Sequence, residues 1–311
     1  MGASGDPPSL VADGARDRPI LIAGGARDPN LAALLGALRA RGAPVAAVLV
    51  GAGADPAIAW DLDADRLLVD GEALRPRAAF VRHDVFEHLA DDREESSFRA
   101  FAWHAALSGW VAAHGDVRCF NRAALGRLTN KPEVLWRARQ AGLDVPATRV
   151  TNALGAPAEH DRWRGYVVKP VSGGGYCRRL PEVLLEAELR AGVAAAPAIV
   201  QPELVPPEVR VFVIAGELLA FRVASDALDY REDPGARVEP MALGELPARA
   251  GEGLRRLTST LGLDFAAADF KACPDTGRLL FLEINNGPMF AAFDRASGGA
   301  ISGAMASFLL G

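Results

Sequence analysis

The chain has 311 residues, of which half are apolar and 23% are charged, and its formal net charge is −5. This length allows two or three modest domains, and the composition excludes a disordered or collagen-like chain. The acidic balance argues against non-specific binding to nucleic acid, because a phosphate backbone attracts basic surfaces.

Cysteine usage and the lack of targeting segments predict a cytoplasmic protein. Cys119, Cys177 and Cys273 are far apart and form no C-x-x-C pair, so we expect neither disulfides nor a zinc site. Residues 1–18 lack the regions of a signal peptide, and we expect them to form a disordered tail. No apolar stretch approaches the roughly 18 residues that a membrane span needs, so no membrane partner is expected.

The first third of the chain has the pattern of a parallel α/β domain. From Pro19, "PILIAGG" predicts a strand, "NLAALLGALRARG" a helix and "PVAAVLVG" a second strand, which together indicate a β-α-β unit. Gly24 and Gly25 do not complete a G-x-G-x-x-G fingerprint, so a strand-to-helix turn is the better interpretation. The strand "AAFVRHDVFE" ends near Arg82 and Asp84, where polar residues often line the ligand crevice of such a sheet.

Changes of pattern divide the chain into three domains. Residues 94–114 predict one helix, whose aromatic residues, Phe98 and Phe101 among them, are expected in the core. From Asn121 onward a helix, a strand that runs into glycines and a series of further strands follow. We therefore expect an N-terminal domain at 19–120, a central domain at 121–200 and a C-terminal domain at 201–311.

A lysine on a predicted strand precedes a glycine-rich loop in "YVVKPVSGGGYC". Consecutive glycines allow backbone N–H groups to converge on an anion, and Lys169 would add a positive charge. This is not a Walker A loop, because the lysine precedes the glycines. From these residues alone, an anion-binding loop and a flexible turn are equally open.

The segment "FLEINNGP" interrupts an apolar strand with an acid and an amide. Because side chains alternate along a strand, Phe281, Glu283 and Asn285 are predicted to share one face. Leu282 and Ile284 are predicted to lie on the opposite face.

Two carboxylates are predicted to meet in a hairpin. The strands "AAADFKA" and "RLLFLEINN" flank the turn sequence "CPDTGR", and pairing Cys273 with Leu279 would place Asp269 opposite Glu283, with Asn285 next on that face. Buried carboxylates need a cation, and Mg²⁺ takes one or two of them and completes its shell with phosphates and water. A glycosidase-like acid/base pair is the rival, but it explains neither Asn285 nor the upstream lysine and glycines.

In order and spacing, these motifs resemble the ATP-grasp superfamily, and within it the RimK-like carboxylate–amine ligases and the graspetide ligases. The resemblance runs from Asn121 to Asp294 and rests on "NK…AGLDVPATRVTN", "YVVKPVSGGG" and "DF…FLEINN". It implies an α/β (α+β) ATP-grasp fold: an N-terminal Rossmann-like (pre-ATP-grasp) domain, a small central lid domain and a C-terminal ATP-grasp domain. After Asn285 the sequence departs from the family pattern, so acceptor specificity does not carry over.

The resemblance also implies roles for individual residues. The cofactors would be ATP and Mg²⁺, with two ions expected. Nucleotide contacts would come from Lys131, Lys169, the lid loop (Ser172, Gly173, Gly174 and Gly175), Gln201, Glu203 and Glu208. Arg210 and Arg222 would face the γ-phosphate and the carboxylate being activated, and Asp269, Glu283 and Asn285 would hold the metal. For Arg222 the alternative is an ordinary surface arginine, and for Glu203 a solvated side chain.

The activity implied is that of an ADP-forming ligase, which converts a carboxylate into an acyl phosphate and joins it to an amine. Its partners would be a small-molecule carboxylate and amine, or a short peptide. Three alternatives stay open: a graspetide-type macrocyclase that forms amide or ester crosslinks in a precursor peptide, a non-catalytic nucleotide-binding regulatory module, and a phosphotransferase. Retention of both lysines and all three metal-ligand candidates argues against the regulatory module. The sequence leaves open homo-oligomer formation and any role of Arg82 and Asp84 in substrate selection.

Overall fold

The computed structural model describes residues 17–51, 55–86, 94–125, 130–172 and 175–311. The chain divides into two compact units. The first contains the described residues before Arg127 together with Ser302–Gly311, and the second contains Arg127–Ile301. The predicted boundaries near residues 120 and 200 stay predictions. Within the first unit, Arg77 donates to the Leu310 carbonyl at 2.7 Å. Most of the predicted tail, residues 1–16, lies outside the described residues.

The first unit is built on a parallel sheet in the order β2-β1-β6-β7, beside a smaller antiparallel sheet of β3, β4 and β5. The described elements up to Cys119 are β1 (Ile20–Gly25), α1 (Pro29–Arg39), β2 (Val45–Val50), β3 (Ile58–Asp61), β4 (Arg66–Val69), β5 (Glu72–Leu74), β6 (Ala78–Val81), α2 (Glu94–Ala113) and β7 (Arg118–Cys119).

Local chemistry explains the turn between β1 and α1. Asp28 caps the helix by accepting the N–H of Asn30 at 2.8 Å, and Pro29 occupies the first helical turn. A Cβ at Gly24 would lie 2.7 Å from the backbone carbonyl oxygen of Arg82, and the φ of Gly24 is +150°, so this position favours glycine. The glycines therefore serve a strand-to-helix turn, as their spacing predicts.

Helix α2 shows that aromatic residues do not identify the core by themselves. Trp110 is buried, but Phe98 and Phe101 are 77% and 64% exposed, so the prediction that they lie in the core is wrong. Phe98 is two positions away from buried Ser96 and Ala100, a spacing that turns it to the opposite side of the helix. Among the described residues, no helix is long and apolar enough to cross a membrane.

The second unit contains two antiparallel sheets, one ordered β10-β9-β11-β8 and one ordered β14-β13-β12-β15-β16. Its described elements are α3 (Lys131–Gln140), β8 (Arg149–Ala153), β9 (Tyr166–Pro170), β10 (Arg178–Arg179), α4 (Leu180–Glu186), β11 (Val193–Pro202), β12 (Val205–Ile214), β13 (Glu217–Ala224), β14 (Arg237–Met241), α5 (Ala248–Leu261), β15 (Phe265–Ala272), β16 (Leu279–Asn285) and α6 (Ala291–Ala296). The last helix, α7 (Ala300–Leu310), ends in the first unit.

Aromatic packing anchors the larger sheet of the second unit. Phe212 on β12, Phe221 on β13 and Phe293 on α6 pack edge to face, with ring centroids 5.2–5.7 Å apart. On β13, Leu218 packs beside Gly251 of α5, where an added Cβ would lie 3.5 Å from the leucine. Because Leu218 and Phe221 are three residues apart on one strand, they point to opposite faces of the sheet. The sheet is therefore covered on both faces.

Candidate active site

The second unit contains a cavity of about 510 Å³ whose walls come from both of its sheets. A cavity of this volume has the size of a small-molecule or cofactor site. Most of the sequence-predicted site residues line it: Lys131, Lys169, Gly175, Gln201, Glu208, Arg210, Asp269, Glu283 and Asn285.

The hairpin of β15 and β16 places Asp269 opposite Glu283, as predicted, although by a different register. In the structure Leu279 pairs with Ala272, whereas the prediction paired it with Cys273. A β-bulge at Leu282 then shifts the pairing by one residue and restores the predicted opposition. The two one-residue differences cancel.

The bulge also changes which side chains face the cavity. Phe281 is buried and packs edge to face on Phe270, with ring centroids 5.7 Å apart, whereas Leu282 and Glu283 both line the cavity. The prediction that Phe281 shares the Glu283 face and Leu282 the other is therefore wrong, because the bulge breaks the alternation. Asn285 keeps its predicted place, with its Nδ2 3.5 Å from the Oε1 of Glu283.

Among the described cavity residues, each of the four carboxylates forms an ion pair with one cation. The nitrogen–oxygen distances are 3.2 Å for Lys131–Glu283, 2.9 Å for Arg210–Asp269, 3.0 Å for Lys271–Glu208 and 2.5 Å for Arg231–Asp229. Lys169 is the fifth cation of this cavity, and no described carboxylate forms an ion pair with it. Its ammonium group is therefore the one most directly available to an anionic ligand.

Arg210 is the most buried of these cations. Its Nη1 donates to both carboxylate oxygens of Asp269, at 2.9 and 3.1 Å, and to the hydroxyl of Tyr230 at 2.8 Å. The guanidinium lies over the rings of Phe212 and Phe293, 5.5 and 5.4 Å from their centroids. Its Nε is buried without a hydrogen-bond partner among the described residues.

The two facing carboxylates have different electrostatic environments. Burial raises the pKa of Asp269, and the guanidinium of Arg210 opposes that rise. Burial also disfavours ionised Glu283, but the ammonium groups of Lys131 and Lys169 outweigh it and lower the pKa of Glu283. Glu283 is therefore the more readily ionised of the pair.

Gln201 on β11 presents an unsatisfied acceptor at the cavity wall. Its side-chain Nε2 donates to the hydroxyl of Thr148 at 3.0 Å. Its Oε1 is buried and has no hydrogen-bond partner among the described residues. A buried carbonyl oxygen without a partner is destabilising.

Arg222 is not brought to the cavity. It pairs with Val209 across the sheet, whereas Phe221 pairs with Arg210, so Arg222 and Arg210 point to opposite faces. The guanidinium of Arg222 binds Glu245 at 2.6 Å. The predicted contact of Arg222 with the reacting groups is therefore contradicted by the sheet register, and the alternative of a surface arginine fits.

Two other predicted nucleotide contacts also lie away from the cavity wall. Glu203 binds Arg179 at 2.9 Å, and Ser172 is exposed. Neither is among the residues that line the cavity. Gly173 and Gly174 lie outside the described residues.

The sequence interpretation missed three charged cavity residues. Asp229 and Arg231 come from an irregular segment between β13 and β14, and Arg231 also lies 5.3 Å from the ring centroid of Tyr176. No periodic pattern marks this segment. Lys271 could have been found, because it follows Asp269 by two residues on the same strand and therefore shares its face.

The donor set of the hairpin fits a magnesium ion. No group of three or more His, Cys, Asp or Glu side chains with metal-ligand geometry occurs in the described ranges. Asp269, Glu283 and Asn285 offer two carboxylates and an amide oxygen instead. Mg²⁺ binds to proteins through one or two carboxylates and completes its octahedron with waters and phosphates.

No protein-family model matches the chain, and no curated protein matches it. Among solved structures, the ATP-grasp ligase PsnB complexed with minimal precursor is 26% identical, with a TM-score of 0.72, and the match covers 94% of this chain and 99% of that one.

The chain is an ATP-grasp ligase. Two further structures share the fold over 94% of this chain. The macrocyclase MdnC from Microcystis aeruginosa, bound with precursor peptide MdnA, is 20% identical over 99% of its chain, with a TM-score of 0.63. The D-cycloserine synthetase DcsG is 18% identical over 98% of its chain, with a TM-score of 0.57. The predicted fold class and enzyme class of this ligase are confirmed.

Proposed function

We propose that this ligase activates a side-chain carboxylate of a precursor peptide and joins it to a hydroxyl or amine of the same peptide. This is the graspetide-type alternative of the sequence interpretation. The observation that carries it is the likeness to PsnB, which spans 94% of this chain at 26% identity and was solved with a phosphomimetic variant of minimal precursor, Mg and ADP or with precursor peptide PsnA2 and AMPPNP.

The cofactors are ATP and Mg²⁺, and the cavity offers a group for each part of them. The unpaired acceptor of Gln201 suits the adenine amino group. Glu208 lines the cavity and would bind the ribose. Lys169 and Lys131 neutralise the phosphates. Mg²⁺, held by Asp269, Glu283 and Asn285, would supply charge neutralisation at the transferring phosphoryl group.

In this proposal two arginines bind the reacting acid. Arg210 has an unsatisfied Nε on a rigid strand, and Arg231 presents a guanidinium that Asp229 orients through two hydrogen bonds, at 2.8 and 2.5 Å. A planar guanidinium matches both carboxylate and phosphate oxygens. In this proposal Arg231 takes the role that the sequence interpretation had given to Arg222.

The reaction then runs in two transfers. A carboxylate oxygen of the peptide attacks the γ-phosphorus, the bond to the bridging oxygen breaks, and ADP leaves. A hydroxyl or amine of the peptide attacks the resulting acyl phosphate, loses its proton to solvent or phosphate, and displaces inorganic phosphate. The protein's residues contribute positioning and charge neutralisation, which dominate catalysis of phosphoryl transfer.

A small-molecule ligase is the second candidate, because DcsG shares the fold at a TM-score of 0.57. PsnB is more similar on both measures, with 26% identity and a TM-score of 0.72. The peptide substrate is therefore the better supported proposal.

Product analysis separates the two candidates. The ligase is incubated with ATP, Mg²⁺ and either peptides rich in Asp, Glu, Thr and Lys or pools of free amino acids, and ADP and product masses are measured. We expect peptide-dependent ADP release and loss of one water from the peptide for each crosslink. Hydroxylamine should divert the acyl phosphate to a hydroxamate. ADP release with free amino acids alone would favour the small-molecule ligase, and no ADP release with any substrate would contradict both.

A further inference from the structure

The predicted phosphate-binding cations and the predicted metal ligands are bound to each other in this structure. Lys131 contacts Glu283 at 3.2 Å, and Arg210 contacts Asp269 at 2.9 Å. These side chains are largely withdrawn from solvent, with 23% and 20% of the first pair exposed and 7% and 8% of the second. Each carboxylate that would hold Mg²⁺ therefore already has a cation at hydrogen-bonding distance.

Local structure holds Lys131 at this position. Asn130 caps α3 by accepting the N–H of Glu133 at 3.0 Å, so Lys131 is the first residue of the helix. The cap fixes its backbone, and a lysine side chain is a flexible four-carbon stem with a rotatable ammonium group. Lys131 can therefore exchange Glu283 for another anion within the same cavity without movement of the helix.

The exchange has a thermodynamic consequence. A metal ion that binds to Glu283 must displace the ammonium of Lys131, and the released ammonium then needs a new anion. A nucleotide phosphate is such an anion, and it must in turn draw Lys131 away from Glu283. Each ligand therefore removes part of the cost of binding the other, and linkage requires the effect to be reciprocal.

We propose that Lys131 is an internal counter-ion that competes with the divalent cation for Glu283, so that metal and nucleotide bind with positive coupling through exchange of ion-pair partners. Arg210 has the same relation to Asp269 at a more buried place. The inference rests on the proposed nucleotide and metal roles of the cavity and adds a regulation of ligand binding to them.

The test uses Lys131→Met and measures binding of each ligand alone. Mn²⁺ affinity, measured by electron paramagnetic resonance without nucleotide, should rise about tenfold, because the variant leaves a partly buried carboxylate without its cation. Metal-free ADP, titrated calorimetrically with a chelator present, should bind about tenfold more weakly. A residue with a purely structural role would shift both affinities in the same direction.

Lys271→Met is the matched control. It removes the same charge from the same cavity, but Lys271 is paired with Glu208 rather than with a predicted metal ligand. We expect its Mn²⁺ affinity to stay within about threefold of that of the unmodified ligase. An equal rise in both variants would show that overall cavity charge sets the affinity, and would overturn the proposal.

The remaining outcomes are also decisive. Unchanged or weaker Mn²⁺ binding by Lys131→Met, or no Mn²⁺ binding by either protein, overturns the counter-ion role. These titrations need neither peptide nor turnover. A failed peptide assay together with opposite shifts of the two affinities would therefore reject the proposed substrate and retain the exchange.

Discussion

The two units of the ligase each contain a buried arginine–aspartate pair, and their surroundings differ. In the first unit, Arg82 and Asp28 meet at 2.7 Å, with 6% and 0% of their side chains exposed. In the second, Arg210 and Asp269 meet at 2.9 Å, with 7% and 8% exposed. The cavity beside Arg82 measures about 10 Å³, and the one beside Arg210 about 510 Å³.

Burial and pairing of an arginine with an aspartate therefore do not identify a functional site. A cavity of about 10 Å³ holds at most one water molecule. The surroundings of the Arg82–Asp28 pair are therefore those of a structural ion pair, at the carboxyl ends of β1 and β6. The Arg210–Asp269 pair adjoins a volume that accommodates a nucleotide. The suggestion that Arg82 and Asp84 select the substrate gains no support from the volume around them.

The largest expected effect is loss of turnover in Asp269→Asn. The amide keeps a hydrogen bond from Arg210 but removes the charge that would hold Mg²⁺, so peptide-dependent ADP release should fall about a thousandfold or more. Circular dichroism should show an unchanged fold. Substantial remaining activity would contradict the metal assignment. The Arg210–Asp269 pair would then have a structural role, like the Arg82–Asp28 pair of the first unit.

The next effect belongs to the first unit and concerns stability. Asp28→Ala removes the carboxylate that Arg82 binds and the cap of α1, so the free energy of unfolding should fall by about 3–5 kcal/mol in urea titrations. The turnover number of the folded fraction should stay close to that of the unmodified chain. If turnover fell without a loss of stability, the first-unit pair would have a catalytic role and the comparison would fail.

The smallest effects come from a matched pair of arginines. Arg231 and Arg222 are each bound to one acid and are about equally exposed, at 48% and 49%, but only Arg231 lines the cavity. Arg231→Ala should lower kcat/KM for the peptide by about tenfold to a hundredfold, because it removes a charged hydrogen-bond donor. Arg222→Ala should change it by less than about twofold, as expected for an exposed pair. Equal effects would remove the distinction between the two positions.

Sequence patterns were sufficient to predict many of the elements and most of the predicted site residues that line the cavity, whose roles stay predictions. Strand and turn patterns locate the β15–β16 hairpin, and the opposition of Asp269 and Glu283 is correct. The bulge at Leu282 was not predicted, because neither strand propensity nor the turn sequence marks the position of an extra residue. The prediction succeeded because the shifted pairing of Leu279 with Ala272 offsets the bulge.

Strand pairing and irregular segments account for the residues that sequence patterns misplaced or missed. The position of Arg222 depends on how β13 pairs with β12, and strand propensity does not specify a register. Asp229 and Arg231 enter the cavity from a segment without periodicity. The exposed Phe98 and Phe101 show the converse error, in which apolar character was taken for burial.

Because of the bulge, two consecutive residues of β16 line the cavity. Leu282 and Glu283 are consecutive residues that both reach the cavity, and their Cα atoms are separated by the fixed length of one peptide unit, about 3.8 Å. The backbone spacing of the apolar Leu282 and the acidic Glu283 is therefore fixed, and a displacement of one residue also displaces the other. An insertion or deletion in this short hairpin would consequently alter the spacing of the side chains that line the cavity. The same change in a surface loop would leave that spacing unchanged.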